Sequence, residues 1–249
     1  MNGTVIHIPG TGGYDVPCRI AAAGDEKKAV LITHGFGSAK EGTTAQALLE
    51  FLPRHGVAAL ALDLPGHGES PCGILRLAAC LDDIAAAETY LRQRFPKAEL
   101  TYFSSSFGAY LNLLYLSSRP HTGVRSFLRC PAVDMPEQFL SWITPEQRRQ
   151  MEREGRFYMN EDDPRPVAIV QGFCDDLAGH DVFRLFRPDG TKLAMLHGDR
   201  DETIPLADVQ RFAAQFSIPL TVAPGQDHRF QGPGGMELVQ STFLAFLEA

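Results

Sequence analysis

Runs of apolar residues alternate with amphipathic stretches along most of this chain. Apolar runs at residues 29–33 and 57–63 predict buried strands, and the stretches at 43–55 and 74–95 have the apolar spacing of helices. These strands are apolar on both faces instead of alternating, which is typical of a parallel sheet covered by helices on both sides. The pattern therefore predicts an α/β fold.

The same order of strand and helix continues toward the end of the chain. The opening differs, because residues 5–8 and 15–21 flank a glycine-rich turn and predict an antiparallel hairpin. The remaining predicted elements are strands at 99–103, 124–130, 192–196 and 220–223 and helices at 109–118, 206–216 and 235–247.

One segment, residues 134–189, breaks this rhythm. It offers helical fragments but no clear strand, and it is longer than the connections usual in such folds. We interpret it as a lid or cap inserted after the sixth strand into a single domain, residues 1–249, above the sheet edge where open α/β sheets bind ligands. At least one of its apolar residues Phe139, Trp142 and Phe173 is expected to contact a substrate. The alternative is that these residues only pack the lid onto the body of the domain.

Composition excludes several classes of function. The 249 residues include 23 basic and 30 acidic side chains, a net charge of −7, and no basic run that would favour nucleic acid. Five cysteines without a C-x-x-C pair indicate reduced thiols rather than a disulfide framework or a zinc site. No targeting peptide or membrane-length apolar run is apparent, so we expect a cytoplasmic protein without a membrane span. The oligomeric state is left open.

The stretch Ser104-Ser105-Ser106-Phe107-Gly108 joins a predicted strand directly to a predicted helix. A strand–turn–helix corner of this kind exposes a hydroxyl beside the first amides of the helix, which is the geometry of a nucleophile elbow. Ser104 stands where the G-x-S-x-G pattern has glycine. The alternative for this stretch is a serine-rich loop that caps a helix.

Five stretches in order resemble the α/β-hydrolase fold family, and within it the small bacterial carboxylesterases that include cinnamoyl (feruloyl) esterases and monoglyceride lipases. The resemblance covers almost all of the chain and implies a mostly parallel, twisted sheet and a serine hydrolase. The stretches are His34-Gly35-Phe36-Gly37, the run from Asp63 to Ser70, the elbow at Ser106, the run from His197 to Pro205, and Gln226-Asp227-His228.

The chemistry requires a base and an acid beside the nucleophile. A serine hydroxyl is a weak nucleophile near neutral pH, so Ser106 needs a histidine to take its proton, and His228 follows the last strand in a loop that can reach it. A carboxylate must orient that histidine. The family's H-G-x-x-D register selects Asp201, with Asp199 and Asp134 as alternatives.

The resemblance also implies an oxyanion hole made of two backbone amides, those of Phe36 and Phe107. The predicted reaction is cleavage of a small-molecule carboxylic ester through an acyl-enzyme, with no metal or organic cofactor implied. A peptidase or amidase is one alternative, with the acidic residues 161–163 as anchors for a substrate amine. A non-catalytic binding protein of the same fold is the other.

The other histidines near these motifs are expected to have structural roles. His34 and His67 lie beside glycines and are interpreted as turn-forming, and His197 ends a buried strand, where a bond to the backbone is expected.

Overall fold

The computed structural model describes residues 3–24, 26–161 and 165–249. Eight of the strands in these ranges form one sheet in the order β1-β2-β4-β3-β5-β6-β9-β10, and β7 and β8 form a separate ribbon. The strands are β1 (Thr4–Pro9), β2 (Asp15–Ala21), β3 (Lys28–Thr33), β4 (Val57–Leu62), β5 (Glu99–Ser105), β6 (Arg125–Arg129), β7 (Arg156–Met159), β8 (Val167–Val170), β9 (Lys192–Gly198) and β10 (Leu220–Ala223).

The sheet is parallel from β4 to β10, and only β1 and β2 run antiparallel to their neighbours. In the register of the central strands, Thr33 lies opposite Ser104, and Ser105 lies opposite Arg129. The carboxyl ends of β3, β5, β6 and β9 therefore meet at one edge. The predicted mostly parallel sheet and the opening hairpin are confirmed.

Helices cover both faces of this sheet. In β3, Leu31 packs toward one layer, whereas Val30 and Ile32 pack toward the other, so the positions from Ala29 to Ile32 are all apolar. None of the described helices is long and apolar enough to cross a membrane. The helices are α1 (Thr43–Phe51), α2 (Leu77–Arg94), α3 (Phe107–Ser118), α4 (Met135–Trp142), α5 (Pro145–Glu154), α6 (Gln171–Gly179), α7 (Val182–Leu185), α8 (Leu206–Phe216) and α9 (Gly235–Glu248).

Two predicted helices are shorter than their apolar patterns. The stretch at 43–55 is an α-helix only to Phe51 and continues as a 3₁₀ turn over Leu52–His55. Pro53 cannot donate a helical hydrogen bond, and Gly56, at φ 70°, ends the turn. Helix α2 begins at Leu77, three residues later than predicted, with Arg76 extended before it.

The expectation that residues 134–189 hold no strand is wrong. Strands β7 and β8 pair antiparallel, with Phe157 opposite Ile169. Phe157, Val167 and Ile169 are buried, while their neighbours along each strand are more exposed. This two-residue alternation spans only four residues in each strand, which is too short to stand out in the sequence. The role of the segment as a lid stays a prediction.

Candidate active site

Ser106 occupies the sharp turn between β5 and α3. Its backbone has φ 53° and ψ −118°, a conformation that costs a non-glycine residue free energy and persists only where surrounding contacts hold it. Two such contacts are present: the Ser106 amide donates to the Arg129 carbonyl at 2.9 Å, and the Ala132 amide donates to the Ser106 carbonyl at 3.3 Å. The turn thus carries its hydroxyl at the corner, as the elbow pattern predicts.

The neighbours of this turn explain how it packs. Ser104 is fully buried, and its hydroxyl has no hydrogen-bond partner among the described residues, so a small polar side chain is accommodated where the motif has glycine. At Gly108, a Cβ would collide with the carbonyl oxygens of Thr33 and His34, so α3 lies directly against the end of β3. A Cβ on Gly35 would lie 3.1 Å from the Cβ of Ser106. The loop after β3 therefore passes beside the serine.

His228 connects Ser106 to Asp201. Its Nε2 lies 3.0 Å from the Ser106 Oγ, and its Nδ1 lies 2.7 Å from the Asp201 Oδ2. The other carboxylate oxygen, Oδ1, accepts hydrogen bonds from the amides of Thr203 at 2.9 Å and Ile204 at 2.8 Å. The structure thus brings together three side chains from the turns after β5, β9 and β10.

The environment of Asp201 favours its charged form. Burial of this carboxyl opposes ionisation, but the hydrogen bond and charge of His228 and the amide of Ile204 hold its pKa below the ordinary value. An ionised carboxylate on Nδ1 keeps the proton of a neutral imidazole on that nitrogen, which leaves Nε2 free to accept a proton from a hydroxyl.

The two alternative carboxylates have other partners. Asp199 Oδ1 accepts a hydrogen bond from the amide of Gly225 at 2.6 Å. Asp134 Oδ2 accepts from Nη2 of Arg211 at 3.0 Å, and burial raises the pKa of this carboxyl. Within the described part of the chain, neither carboxylate bonds to His228.

Phe36 and Phe107 place two free amides near the serine. Phe107 is the first residue of α3, so its N–H has no acceptor within the helix. Phe36 follows Gly35 in the loop after β3, and no hydrogen bond of its amide is found among residues 3–24, 26–161 and 165–249. The two rings meet edge to face, with centroids 5.9 Å apart. Unpaired amides in this position can donate to an oxyanion.

Arg129 is a site residue that sequence reasoning missed. It ends β6 and is only 6% exposed. Its Nε donates to the Ser105 Oγ at 3.2 Å, and its Nη1 donates to the His228 carbonyl at 2.6 Å. The guanidinium therefore ties the histidine loop to the residue before the serine. The feature of the sequence that could have indicated this role is a charged residue at the end of an otherwise buried strand.

Buried charges join the loops after β3 and β4. Lys40 has no exposed side-chain surface, and its Nζ lies 2.8 Å from Asp63, 2.7 Å from Glu69 and 3.0 Å from Glu41. Burial alone would lower the pKa of Lys40, but these hydrogen bonds raise it above the ordinary value. The backbone amides of Lys40 and Glu69 also donate to Asp63, at 2.7 and 2.8 Å. The two loops are therefore fixed to each other.

His34 and His67 are buried and neutral. The Leu64 amide donates to Nε2 of His34 at 3.1 Å, so the proton of this ring is on Nδ1, which donates to the Gly35 carbonyl at 2.8 Å. Burial lowers the pKa of His34 to about 4 and that of His67 to about 3. Nδ1 of His67 lies 2.9 Å from the Pro65 carbonyl. These contacts agree with the turn-forming role predicted for both.

One group of side chains has the composition of a metal site. Ligand atoms of Cys130, His197 and Asp201 lie within 4.8 Å of one another. Burial raises the pKa of the Cys130 thiol to about 12, so it is protonated and a weak ligand. His197 uses its Nε2 for the Ile204 carbonyl at 3.1 Å, the backbone bond expected from the sequence. Asp201 Oδ2 is likewise bonded to His228, so two members of the group have hydrogen-bond partners of their own.

A cavity of about 460 Å³ opens beside Ser106 and His228. Its wall is formed by the loop after β3, the start of α1, Arg129 and the histidine loop through Gln231. This volume is within the range of small-molecule sites.

The three aromatic residues predicted to bind substrate do not line this cavity. Phe139 and Phe173 are fully buried, and Phe139 packs against Phe36 while Phe173 packs against Phe107, with centroid distances of 5.6 and 6.0 Å. Trp142 packs on Phe139 at 6.1 Å. The cluster thus supports the two residues that carry the free amides. A contact with substrate stays a prediction.

Comparison with known proteins places the chain in a family. A protein-family model described as "Serine aminopeptidase, S33" matches residues 24–161. No curated protein sequence matches the chain.

Solved structures with similar folds cover nearly the whole chain. Est1E from Butyrivibrio proteoclasticus, solved with ferulic acid bound, has a TM-score of 0.81 at 20% identity and covers 97% of each chain. Mouse alpha/beta hydrolase domain-containing protein 10 has a TM-score of 0.77 at 17% identity and covers 98% of each chain. The esterase domain of a Rhodothermus marinus protein has a TM-score of 0.76 at 16% identity and covers 99% of this chain and 98% of its own. At these identities the likeness concerns the fold.

Proposed function

We propose that this chain, which belongs to the serine aminopeptidase family of α/β hydrolases, cleaves carboxylic esters with Ser106, His228 and Asp201 as a catalytic triad. The observation that carries the proposal is the position of His228, which lies within hydrogen-bond distance of both the Ser106 hydroxyl and the Asp201 carboxylate. That is the arrangement in which a histidine can take the serine proton during attack.

The proposed reaction has two stages. The Ser106 Oγ attacks the ester carbonyl as His228 takes its proton, and Asp201 stabilises the imidazolium that forms. The amides of Phe36 and Phe107 donate to the oxyanion, and each such donor is worth about 3–4 kcal/mol of transition-state stabilisation. The intermediate then expels the alcohol, which takes the proton from His228. Water, deprotonated by His228, next attacks the acyl-enzyme and releases the acid and the serine.

The charges around the cavity favour an ester over a peptide substrate. An aminopeptidase holds the free amine of its substrate, and a carboxylate suits that role. No Asp or Glu side chain is found among the described residues that line the cavity. Of the acidic residues suggested as amine anchors, Glu161 is exposed and is not part of that wall, and Asp162 and Asp163 lie outside the described residues. Two similar structures, Est1E and the Rhodothermus domain, carry esterase-type names or ligands.

We also propose that residues 134–189 form a cap within a single domain of residues 1–249. A second cavity of about 400 Å³ shares residues of the loop 37–42 with the first, and Arg165 and Val167 from the segment line it together with His67. The segment therefore approaches the loop that carries the Phe36 amide, although it does not line the first cavity.

Covalent labelling tests the proposal. A fluorophosphonate should label the wild-type protein on Ser106, and Ser106→Ala should lose both the label and the hydrolysis of short activated esters. The matched control is Ser104→Ala, which removes from the same turn a buried hydroxyl that has no hydrogen-bond partner among the described residues, and this variant should keep both. A label on Ser104 or Ser105 in the Ser106→Ala protein would refute the assignment.

A matched ester and amide of the same acid separate the remaining alternatives. Faster cleavage of the amide would favour the peptidase or amidase. Absence of both labelling and turnover in a folded protein would favour a non-catalytic binding protein.

A further inference from the structure

The cavity beside Ser106 differs in charge from the rest of the protein. The chain has a net charge of −7, yet the described cavity wall contains two arginines, Arg129 and Arg229, and no carboxylate. Arg229 is exposed, as surface arginines commonly are. Arg129 is different, because it is 94% buried and still reaches the cavity.

Arg129 has hydrogen bonds but no counter-ion among the described residues. Its two hydrogen-bond partners, the Ser105 hydroxyl and the His228 carbonyl, are uncharged, and so is the Phe230 ring, whose centroid lies 5.7 Å from the Arg129 Cζ. Across residues 3–24, 26–161 and 165–249, no carboxylate oxygen lies within 4.0 Å of the guanidinium, and no hydrogen bond is found for Nη2. A buried cation without a counter-ion is costly unless something else compensates its charge.

Asp201, the carboxylate of the site, does not fill this role. Its Oδ1 accepts from two backbone amides and its Oδ2 accepts from His228. Both of its oxygens therefore already accept hydrogen bonds, and Asp201 contacts the Nδ1 side of the imidazole, opposite to the Nε2 that faces Ser106. The N–H groups of Arg129 that remain are left for a group that enters the cavity.

The start of α1 adds a second favourable field for an anion. Thr43 and Thr44, its first residues, also line the cavity, and none of the side chains that the structure describes caps the amides of this first turn. No acidic residue occupies the turn. Free amides and the positive end of a helix attract negative charge, so they act in the same direction as Arg129.

We propose that Arg129 binds a carboxylate carried by the substrate, so that the preferred substrates are esters with a second, ionised carboxyl group. This inference rests on the proposed esterase function and specifies its substrate class. A guanidinium suits the role because its planar N–H groups match the two oxygens of a carboxylate. Arg129 is bonded to Ser105, the residue before the nucleophile. The separation of the Ser106 Oγ and the Arg129 guanidinium therefore sets the distance between the ester carbonyl and the carboxylate of a preferred substrate.

Matched neutral and charged esters test the inference. One pair carries the charge on the acyl side: the nitrophenyl monoester of hexanedioic acid and its terminal carboxamide. The other pair carries it on the alcohol side: para-acetoxybenzoate and para-acetoxybenzamide. The quantity measured is the ratio of kcat/KM for the carboxylate over the carboxamide, after subtraction of spontaneous hydrolysis. In the wild-type protein we expect at least one pair to favour the carboxylate by about 10-fold or more.

Variants identify the residue responsible. Arg129→Gln should reduce that ratio about 10- to 100-fold, the loss expected for a charge-assisted hydrogen bond, and Arg129→Lys should restore part of it. Both variants also lose the anchor on the His228 carbonyl, so kcat for the neutral ester should fall as well, and the ratio separates the two effects. Arg229→Gln should change the ratio about 2- to 5-fold, as for an exposed pair. The control Arg54→Gln removes an exposed arginine outside the cavity and should leave the ratio unchanged.

The outcomes are distinguishable. Turnover with no carboxylate preference in either pair would overturn the inference and leave the esterase proposal intact. The same holds if Arg129→Gln folds and keeps the full wild-type ratio. Absence of ester turnover and of fluorophosphonate labelling in the wild-type protein would overturn the proposed function and this inference together.

Discussion

The turns at the carboxyl ends of the central strands and the segment 134–189 use their side chains in opposite ways. The turns present Ser106 and His228 to a cavity and give their polar atoms specific partners. The segment buries Phe139 against Phe36, in the loop after β3, and Phe173 against Phe107, the first residue of α3. A change in the turns should therefore reduce activity more than stability, and a change in the segment should do the reverse.

The largest expected effect is that of Asp201→Asn on catalysis. The amide is close in size, so the fold should survive, but it can donate to His228, favour the wrong tautomer and lose the charge that stabilises the imidazolium. A decrease in kcat of about 10⁴ is expected, as for the analogous change in a serine protease. Steady-state kinetics on Asp199→Asn and Asp134→Asn provide the controls. A crippled Asp134→Asn with a nearly wild-type Asp201→Asn would show that the acid comes from the turn after β6.

The second expected effect concerns stability and tests the other half of the comparison. Phe139→Ala or Phe173→Ala removes a fully buried ring and should lower the free energy of unfolding by about 3–5 kcal/mol. The ranking of ester substrates should stay the same, because neither ring lines the cavity. Denaturant unfolding and a panel of esters measure the two quantities. The half-buried Trp142→Ala should cost less. If the ranking changes, the substrate contact expected from the sequence is supported.

A third, smaller effect is the dependence of stability on pH, which arises from two histidines in the loops after β3 and β4. His34 and His67 have pKa values of about 4 and about 3 in the folded protein, below the ordinary 6.5. The unfolded chain therefore binds more protons between these values, and the free energy of unfolding should fall as the pH falls from about 6.5 toward 4. Urea unfolding of the wild-type protein and of His67→Asn across this range measures it. An equally steep decrease in the variant would exclude His67 as a source.

The smallest expected effect is at the ion pair that ties the segment to α2. Arg76 Nε lies 2.7 Å from Asp176 Oδ2, and the Leu77 amide donates to the same oxygen at 3.1 Å. Because nearly half of the arginine side chain is exposed, Arg76→Gln should cost about 1 kcal/mol or less. Asp176→Asn should cost slightly more, since it also weakens the bond at the start of the helix. A double-mutant cycle of the two changes measures their coupling.

The fold could be predicted from the sequence because most of its strands are buried on both faces. A run such as Val57–Leu62, with every residue apolar, leaves little alternative to a covered parallel strand. Short alternating strands such as Arg156–Met159 carry too few positions to show a period, so the ribbon was missed.

The sequence could predict only those residues of the candidate site that directly follow a strand of the parallel sheet. Ser106, Asp201 and His228 follow strands whose ends must meet at one edge of the sheet, and the structure places them in contact. The environment of Arg129 depends on the path of a loop nearly a hundred positions further along the chain. The packing of Phe139 likewise depends on how residues 134–189 fold back. Neither can be obtained from local pattern.

The burial of Lys40 has a practical consequence for attaching the protein to a surface. An ammonium group with no exposed surface and three carboxylate neighbours will not react readily with amine-directed reagents. The chain's other lysines lie at or just before the amino ends of β3, β5 and β9, at the edge of the sheet opposite Ser106: Lys27, Lys28, Lys97 and Lys192. Immobilisation through lysine side chains would therefore turn the cavity toward the solution and leave it open to substrate.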